Sequence, residues 1–338
     1  MKWPTVKQEV AKAGQVNVPF CGKKPITLAV LDGVGTNPWS LISYAAVKSE
    51  AAKCKNVKVI TFAASGNLQT AIQQINSAVS QGANAMTIIP DFGKSELQAI
   101  TAATKQGVKV VPWGADPGGR AGVDYVSYLD WNVPYSGTLW AQWMVKQLKG
   151  HGNVIFTGGP AGNAVGAEQL AAIVKVFAKH SGMHLLTGDH SFGITNWEPA
   201  TAQQATAALL SRYKNINGLI SNYGADALAS IRAFKAAGRK LVPIATLMSN
   251  GTSCAYKKAH VGLGTVSGRN WMGRIAARKA IAAAEGLPNK EPNTYALPFI
   301  ENTQAGLAPQ CNPSRKLASD FDLSNQLSSS TIAKYGKP

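Results

Sequence analysis

Residues 24–47 read KPITLAVLDGVGTNPWSLISYAAV. Ile26 to Leu31 is an unbroken apolar and β-branched run, the pattern of a strand buried on both faces of a parallel sheet. Asp32, Gly33, Gly35 and Asn37-Pro38 then supply turn chemistry, and Trp39 opens an amphipathic helix. In an open α/β sheet such a strand-to-helix loop sits at the carboxyl edge of the strands, where ligands bind. Asn37, Pro38 and Trp39 are therefore read as the first wall of a ligand site.

Outward from this unit the alternation continues. Val57 to Ala63, Ala85 to Pro90 and Val108 to Trp113 read as strands, with amphipathic helices over Asn67 to Ser80 and Lys94 to Lys105. That βαβαβαβ order predicts a doubly wound half-domain. Gly114 to Gly122 is rich in turn residues, and Tyr125 to Leu129 reads as a further strand. A second series follows. Its expected strands are Asn153 to Thr157, His184 to Gly188, Gly218 to Ser221, Leu241 to Thr246 and Gly262 to Val266. Its expected helices are Tyr135 to Leu148, Ala164 to His180, Pro199 to Tyr213, Ala225 to Ala237 and Thr252 to Lys258. Asn270 to Glu285 reads as a helix and Thr294 to Phe299 as a late strand. The end, Asn302 to Pro338, reads as a polar tail with one short helix, partly held by Cys311. Residues 1 to 24 form an amino-terminal arm, too short for a DNA-binding headpiece.

A chain of 338 residues with 45% hydrophobic content can bury a large core, and its length favours two domains. No apolar run approaches the roughly 18 residues of a transmembrane helix. The start, Met1-Lys2-Trp3, lacks the apolar centre of a signal peptide. That leaves a cytoplasmic protein or a mature exported one, and the cysteines bear on the choice. Cys21 and Cys54 lie near the amino end, Cys254 and Cys311 in the carboxyl third, with no C-x-x-C spacing. Cys21 precedes the first strand and Cys54 follows the first helix, so the two could meet at the lower edge of one βα unit. Four reduced thiols and two structural disulfides both remain open; the placement favours disulfides in an oxidising compartment.

The formal charge is +17. The Lys and Arg residues are scattered singly, without a basic run or an aromatic-basic interleave, so the charge reads as a dispersed soluble surface and no nucleic-acid partner is expected. Enzyme motifs are incomplete. Gly33-Val34-Gly35 is half of a dinucleotide fingerprint, but Pro38 stands where the third glycine belongs, and no acid occurs over Phe62 to Ser65. Neither a phosphate-binding G-x-x-x-x-G-K-[ST] loop nor a G-x-S-x-G elbow is present. His151, His180, His184, His190 and His260 lack metal-ligand spacing, so no metal or other cofactor is expected.

Four stretches together resemble one family. TNPW at 36–39 follows the first strand, VPWGADPGG at 111–119 the fourth. GPAGNAVGAEQLAAIVKVF spans 159–177 and LISNYGADALASIRAFKAAGR spans 219–239. These are similar to the Asn-Pro-aromatic loop, the aromatic-Asp-x-Asp turn, the Gly-rich loop with its helix and the Asn-Asp-x-x-Ala-x-Gly-Ala segment of sugar-binding type I periplasmic binding proteins. The ribose-binding proteins are the nearest relatives, and the similarity covers about residues 25 to 300.

The resemblance implies an α/β fold of two doubly wound Rossmann-like lobes with parallel sheets, joined by a three-strand hinge, with ligand clamped between their carboxyl edges. Crossings near Asp130, Ser267 and Phe299 would give one lobe of residues 1 to 129 plus 268 to 299, and another of 130 to 267 plus 300 to 338. The implied activity is periplasmic capture of a monosaccharide-sized sugar or polyol by a monomer that hands it to an ABC permease. A receptor signalling to a membrane kinase and a binder of a non-sugar polar ligand are the alternatives. A transcriptional effector core is disfavoured, since no helix-turn-helix precedes Ile26.

The pattern departs from that family in four places. Gly114 replaces the first Asp of the turn, Ala167 stands where an Arg is usual, Tyr223 takes an Asn position, and Asn132 follows Trp131 where an Asp is expected. The expected site is thus more aromatic and less charged. Sugars present apolar C–H faces and a ring of hydroxyls, which suit aromatic platforms beside planar polar groups. The candidates are Asn37, Trp39, Asp91, Trp113, Asp116, Trp131, Trp197, Asn222, Tyr223 and Arg269, with Asn270 able to give and accept bonds beside them. Trp140 and Trp143, within one helix, read as core.

Overall fold

A computed structural model describes residues 19–295, 297–313, 320–325 and 327–338; most of the expected amino-terminal arm lies outside them. In chain order the first elements are β1 (Ile26–Asp32), α1 (Pro38–Ala51), β2 (Val57–Ala63), α2 (Leu68–Ser80), β3 (Ala85–Ile89), α3 (Leu97–Lys105) and β4 (Lys109–Pro112), with a 3-10 turn at Gly93–Glu96. Then come α4 (Val133–Gln147), β5 (His151–Gly158), α5 (Ala164–Phe177), β6 (Gly182–Leu185), β7 (Gly193–Ile194), α6 (Pro199–Arg212) and β8 (Gly218–Ser221). The chain closes with α7 (Gly224–Ala236), β9 (Ile244–Leu247), α8 (Asn250–Ala259), β10 (Leu263–Val266), α9 (Met272–Glu285), β11 (Phe299–Asn302) and α10 (Ser329–Tyr335).

The described chain falls into two compact units. The first holds residues 19–131, Arg269–Tyr295 and Asn325–Pro338. Its sheet runs β2-β1-β3-β4, all parallel. Leu31, Ile75, Met86, Ile88, Ile100 and Val110 form a core with α2 and α3 on one face of the sheet, while α9 packs on β3 and β4 and against α1. α1 starts where it does because Asn37 caps it, its Oδ1 accepting the Ser40 amide at 2.9 Å, with Pro38 at the first helical position. Gly35 is required at φ 76°: a Cβ there would lie 2.4 Å from that of Ala63.

The second unit comprises, of the described residues, 132–268, 297–313 and 320–324. Its sheet runs β11-β10-β9-β8-β5-β6, parallel except for the antiparallel β10–β11 pair, with β7 alongside β5. Asparagine again sets a helix start: Asn163 Oδ1 accepts the Gly166 amide at 2.6 Å and opens α5. Trp140 and Trp143 are buried, as expected of core residues. Each unit is closed by its own disulfide, Cys21–Cys54 in the first and Cys254–Cys311 in the second. Among the described residues no helix is long and apolar enough to cross a membrane.

Several expected strands differ. Tyr125 to Leu129 makes only single bridges, Ala121 with Tyr125 and Trp113 with Leu129. The late strand begins at Phe299, because Pro298 cannot donate to a ladder, and Thr294 instead bridges Asp130. Pro243 delays β9 to Ile244 for the same reason. β6 starts at Gly182, two residues before the expected His184, because register with β5 pairs His151 with Gly182. The polar end does carry one short helix, α10. It belongs to the first unit rather than the second, packing on α1, with Lys48 Nζ donating to the Lys337 carbonyl at 2.8 Å. The chain passes between units after Trp131, Gly268, Tyr295 and again after Ser324.

Candidate functional site

At the carboxyl edge of the first unit the start of α1, the turn after β4 and the segments just before α4 and α9 bring three tryptophans and one arginine together. Trp39 and Trp113 lie with ring centres 5.8 Å apart at 34°. The Arg269 guanidinium lies 3.8 Å from the Trp131 ring centre and 5.0 Å from that of Trp39. Trp131 is anchored by its Nε1, which donates to the Gly114 carbonyl at 2.8 Å. Gly114 adopts φ 82°, left-handed, which explains a glycine at a turn position where acid was expected. Asn270 fixes the far side, its Nδ2 donating to the Trp39 carbonyl and to Ser43 Oγ, both at 2.8 Å. Trp39 keeps part of its surface exposed, while Arg269, Trp113 and Trp131 are buried.

Three buried carboxyls belong to the same edge, close enough for Asp91 to feel the charges of Asp32, Glu96 and Arg269. Asp32 ends β1, and its Oδ1 accepts the amides of Val34 and Gly35 at 2.9 and 2.7 Å. Burial nevertheless outweighs those bonds and raises its pKa to about 6. Glu96, accepting the Phe92 amide at 3.0 Å, is raised to about 7, again chiefly by burial. Asp91 is raised well above the usual carboxylate range by burial and then by the charges of Asp32 and Glu96, with Arg269 pulling the other way. The group can hold a cation such as the Arg269 guanidinium, or keep protons and donate them.

The carboxyl edge of the second unit is built on Trp197. Asn196 and Trp197 both adopt left-handed φ, 55° and 52°, a conformation non-glycine residues keep only when their surroundings impose it. The indole lies on Gly159, where a Cβ would come within 2.2 Å of the ring, and its Nε1 donates to Asn222 Oδ1 at 2.9 Å. Asn222 Nδ2 is buried and bonded to no protein atom, a donor left over for something else. Thr195 Oγ1 touches Asp226 Oδ2 at 2.5 Å. Burial raises the Asp226 carboxyl well above its usual range, and Glu198 adds to this.

The expected residues thus fall into two groups by unit. Trp39, Asp91, Trp113, Trp131 and Arg269 converge in the first unit, and Trp197 meets Asn222 in the second. Asn37 is occupied as a helix cap. The Asp116 carboxylate is engaged by its own turn, Oδ1 accepting the Gly118 amide at 2.8 Å. Tyr223 is buried at the N-cap position of α7. Sequence reasoning missed Asp32, Glu96, Thr195 and Asp226. Asp32 was the most findable, as the first polar residue after an apolar run; the others carry no motif and are gathered only by the fold.

A match to the periplasmic binding protein domain family spans residues 29–288. A xylitol-binding protein of Mycolicibacterium smegmatis is 24% identical over 267 residues, 76% of this chain and 72% of the relative. An ABC transporter solute-binding protein from Burkholderia graminis, solved in complex with D-arabinose, superposes with a TM-score of 0.71. It is 20% identical, covering 82% of this chain and 96% of the other. A solute-binding protein from Bacillus halodurans with bound myo-inositol gives 0.70 at 17% identity, over 82% and 94%. Two α/β units, each with a parallel sheet, and a family match over most of the length lead to one conclusion: the chain belongs to the periplasmic binding protein family, whose members are binding proteins rather than enzymes.

Proposed function

We propose that this chain is the solute receptor of an ABC importer, working as a monomer in the periplasm and taking a monosaccharide-sized sugar or polyol for delivery to a membrane permease. The observation that carries this reading is Trp197 with Asn222. One face of an indole rests on a glycine, its nitrogen is fixed, and a buried amide donor is left unused beside it. An apolar plate next to a hydroxyl-seeking amide suits a ring or chain that has C–H on one side and hydroxyls around it. Trp39 beside Arg269 offers the same pairing in the first unit. Relatives whose names specify xylitol, D-arabinose and myo-inositol agree with a polyhydroxylated ligand of this size. Two disulfides accord with an oxidising compartment.

The test is a thermal-shift screen of the purified protein against pentoses, hexoses, pentitols and inositols, with amino acids and purines as controls. A ligand that binds only the folded state raises the melting temperature by mass action. A shift with one sugar or polyol is expected. A shift with an amino acid or purine alone would overturn the ligand class and leave the family intact. Size-exclusion chromatography with light scattering tests the monomer.

A further inference from the structure

Thr195 Oγ1 has too many partners for an ionised neighbour. It lies within hydrogen-bonding distance of the Gly158 carbonyl and of Asp226 Oδ2, and it accepts the Trp197 amide at 3.3 Å. A hydroxyl carries one proton. The carbonyl has none to offer, so the threonine proton belongs on that side, and the 2.5 Å contact with Asp226 needs a proton from the carboxyl. With Asp226 ionised, one of the two oxygens would face a lone pair at bonding distance.

A second observation agrees. Asp226 Oδ1 is buried and has no hydrogen-bond partner. A carboxylate with an unserved oxygen, closed off from water, bears a desolvation cost that a neutral carboxyl avoids. The charged group acting on it is Glu198, of the same sign, which also disfavours ionisation. Asp226 sits in the first turn of α7, where the helix dipole favours an anion, yet no side chain caps that end.

We propose that Asp226 is a positioning residue, held as a neutral carboxylic acid whose proton is donated to Thr195, and that this bond keeps Trp197 in place. Asn196 and Trp197 hold their left-handed backbone because the Trp197 amide is tied to Thr195 Oγ1 and the indole to Asn222. Ionising Asp226 pulls the threonine proton off the Gly158 carbonyl and slackens the first of these ties. The consequence for binding rests on reading Trp197 as part of the ligand surface; the protonation state does not.

Two experiments on the full chain without ligand decide it. In protein labelled with carbon-13 at the aspartate carboxyls, the resonance absent from Asp226→Asn should show the shift of a protonated acid at about pH 7, where an ordinary aspartate is ionised. A carboxylate shift there would overturn the proposal. The Trp197 indole N–H resonance, assigned with Trp197→Phe, should move with pH as that carboxyl titrates. In Asp226→Asn, whose amide can still donate to Thr195, it should stay near its native position at every pH; in Asp226→Leu it should shift or broaden. An indole displaced as far by Asn as by Leu, in proteins that still melt cooperatively, would overturn the positioning role. If the leucine variant does not fold, the asparagine variant decides alone. With a sugar from the screen, Asp226→Leu should weaken binding at least about tenfold and Asp226→Asn should restore most of that loss. If no sugar binds, the ligand reading fails while the carboxyl and indole signals still report on Asp226.

Discussion

The Arg269 guanidinium stacks 3.8 Å from the ring centre of Trp131, and the two residues stand at different crossings of the chain between its units. Trp131 is the last residue before the first passage, and Arg269 the first after the second. Arg269 holds φ 60°, left-handed for a non-glycine. The guanidinium also lies 5.0 Å from the ring centre of Trp39, at the start of α1, so one planar cation links the Asn37-Pro38-Trp39 loop to the chain's crossings. A lysine cannot reproduce this, because its ammonium is a point charge without a stacking plane.

Arg269→Lys should therefore weaken binding of the best sugar by about tenfold, equivalent to about 1.4 kcal/mol, and Arg269→Ala by more. Arg269→Ala also removes the cation that offsets Asp91, so the Asp91 carboxyl rises further. Calorimetric titration of the three proteins checks the affinities. Equal affinity for the native and lysine proteins would take Arg269 out of the ligand surface and leave it a structural cation.

Trp197→Ala removes the ring resting on Gly159 and the donor to Asn222 Oδ1. Binding should weaken at least about tenfold. The melting temperature should move little, since Trp197 is only half-buried and lies outside the core of its unit. An affinity left unchanged would remove the residue from the site.

Breaking the disulfides separately should cost stability by amounts that grow only with the logarithm of the loops they close. Cys21–Cys54 spans 33 residues and Cys254–Cys311 spans 57. Loop-closure entropy puts each at about 4 kcal/mol, slightly more for the longer. Cys21→Ser with Cys54→Ser should lower the unfolding transition of the first unit, and Cys254→Ser with Cys311→Ser that of the second. Denaturant unfolding followed by scanning calorimetry separates the two; no loss from either pair would mean that packing alone holds those ends.

What the sequence revealed and what it hid divide along physical lines. The run Ile26 to Leu31 and the turn and helix start that follow it were legible because strand burial and turn chemistry are local, set by neighbours in the chain. The Trp39–Arg269 pair was not legible as a pair, since 230 positions separate its members and only the fold closes that distance. Tyr125 to Leu129 has strand composition but finds only single-residue bridges, so propensity there is overridden by the surroundings. Asp116 and Asn37 looked like ligand groups because they are polar residues at strand ends; their own turns and helix use them first. Asp226 lies within the stretch 219–239, but nothing local marks a buried carboxyl that meets a threonine 31 residues away.

The pH dependence of stability follows from the buried carboxyls of the first unit. Asp32 rises from 3.8 to about 6 and Glu96 from 4.5 to about 7, both chiefly through burial. In that range the folded state binds protons that the unfolded chain has already released. The slope of unfolding free energy with pH is then negative, so stability is greatest below the unfolded-state values and falls as pH rises through about 4 to 7. This is the reverse of a salt-bridged aspartate. Asp32→Asn keeps an acceptor for the Val34 and Gly35 amides and cannot ionise. The difference in stability between native and Asp32→Asn proteins should therefore move in favour of the variant as pH rises from about 4 to 6 and level off above. Denaturant titrations at a series of pH values measure it. A difference that stays constant would mean that Asp32 ionises in the folded protein at its ordinary pH, with water or a neighbouring donor offsetting its burial.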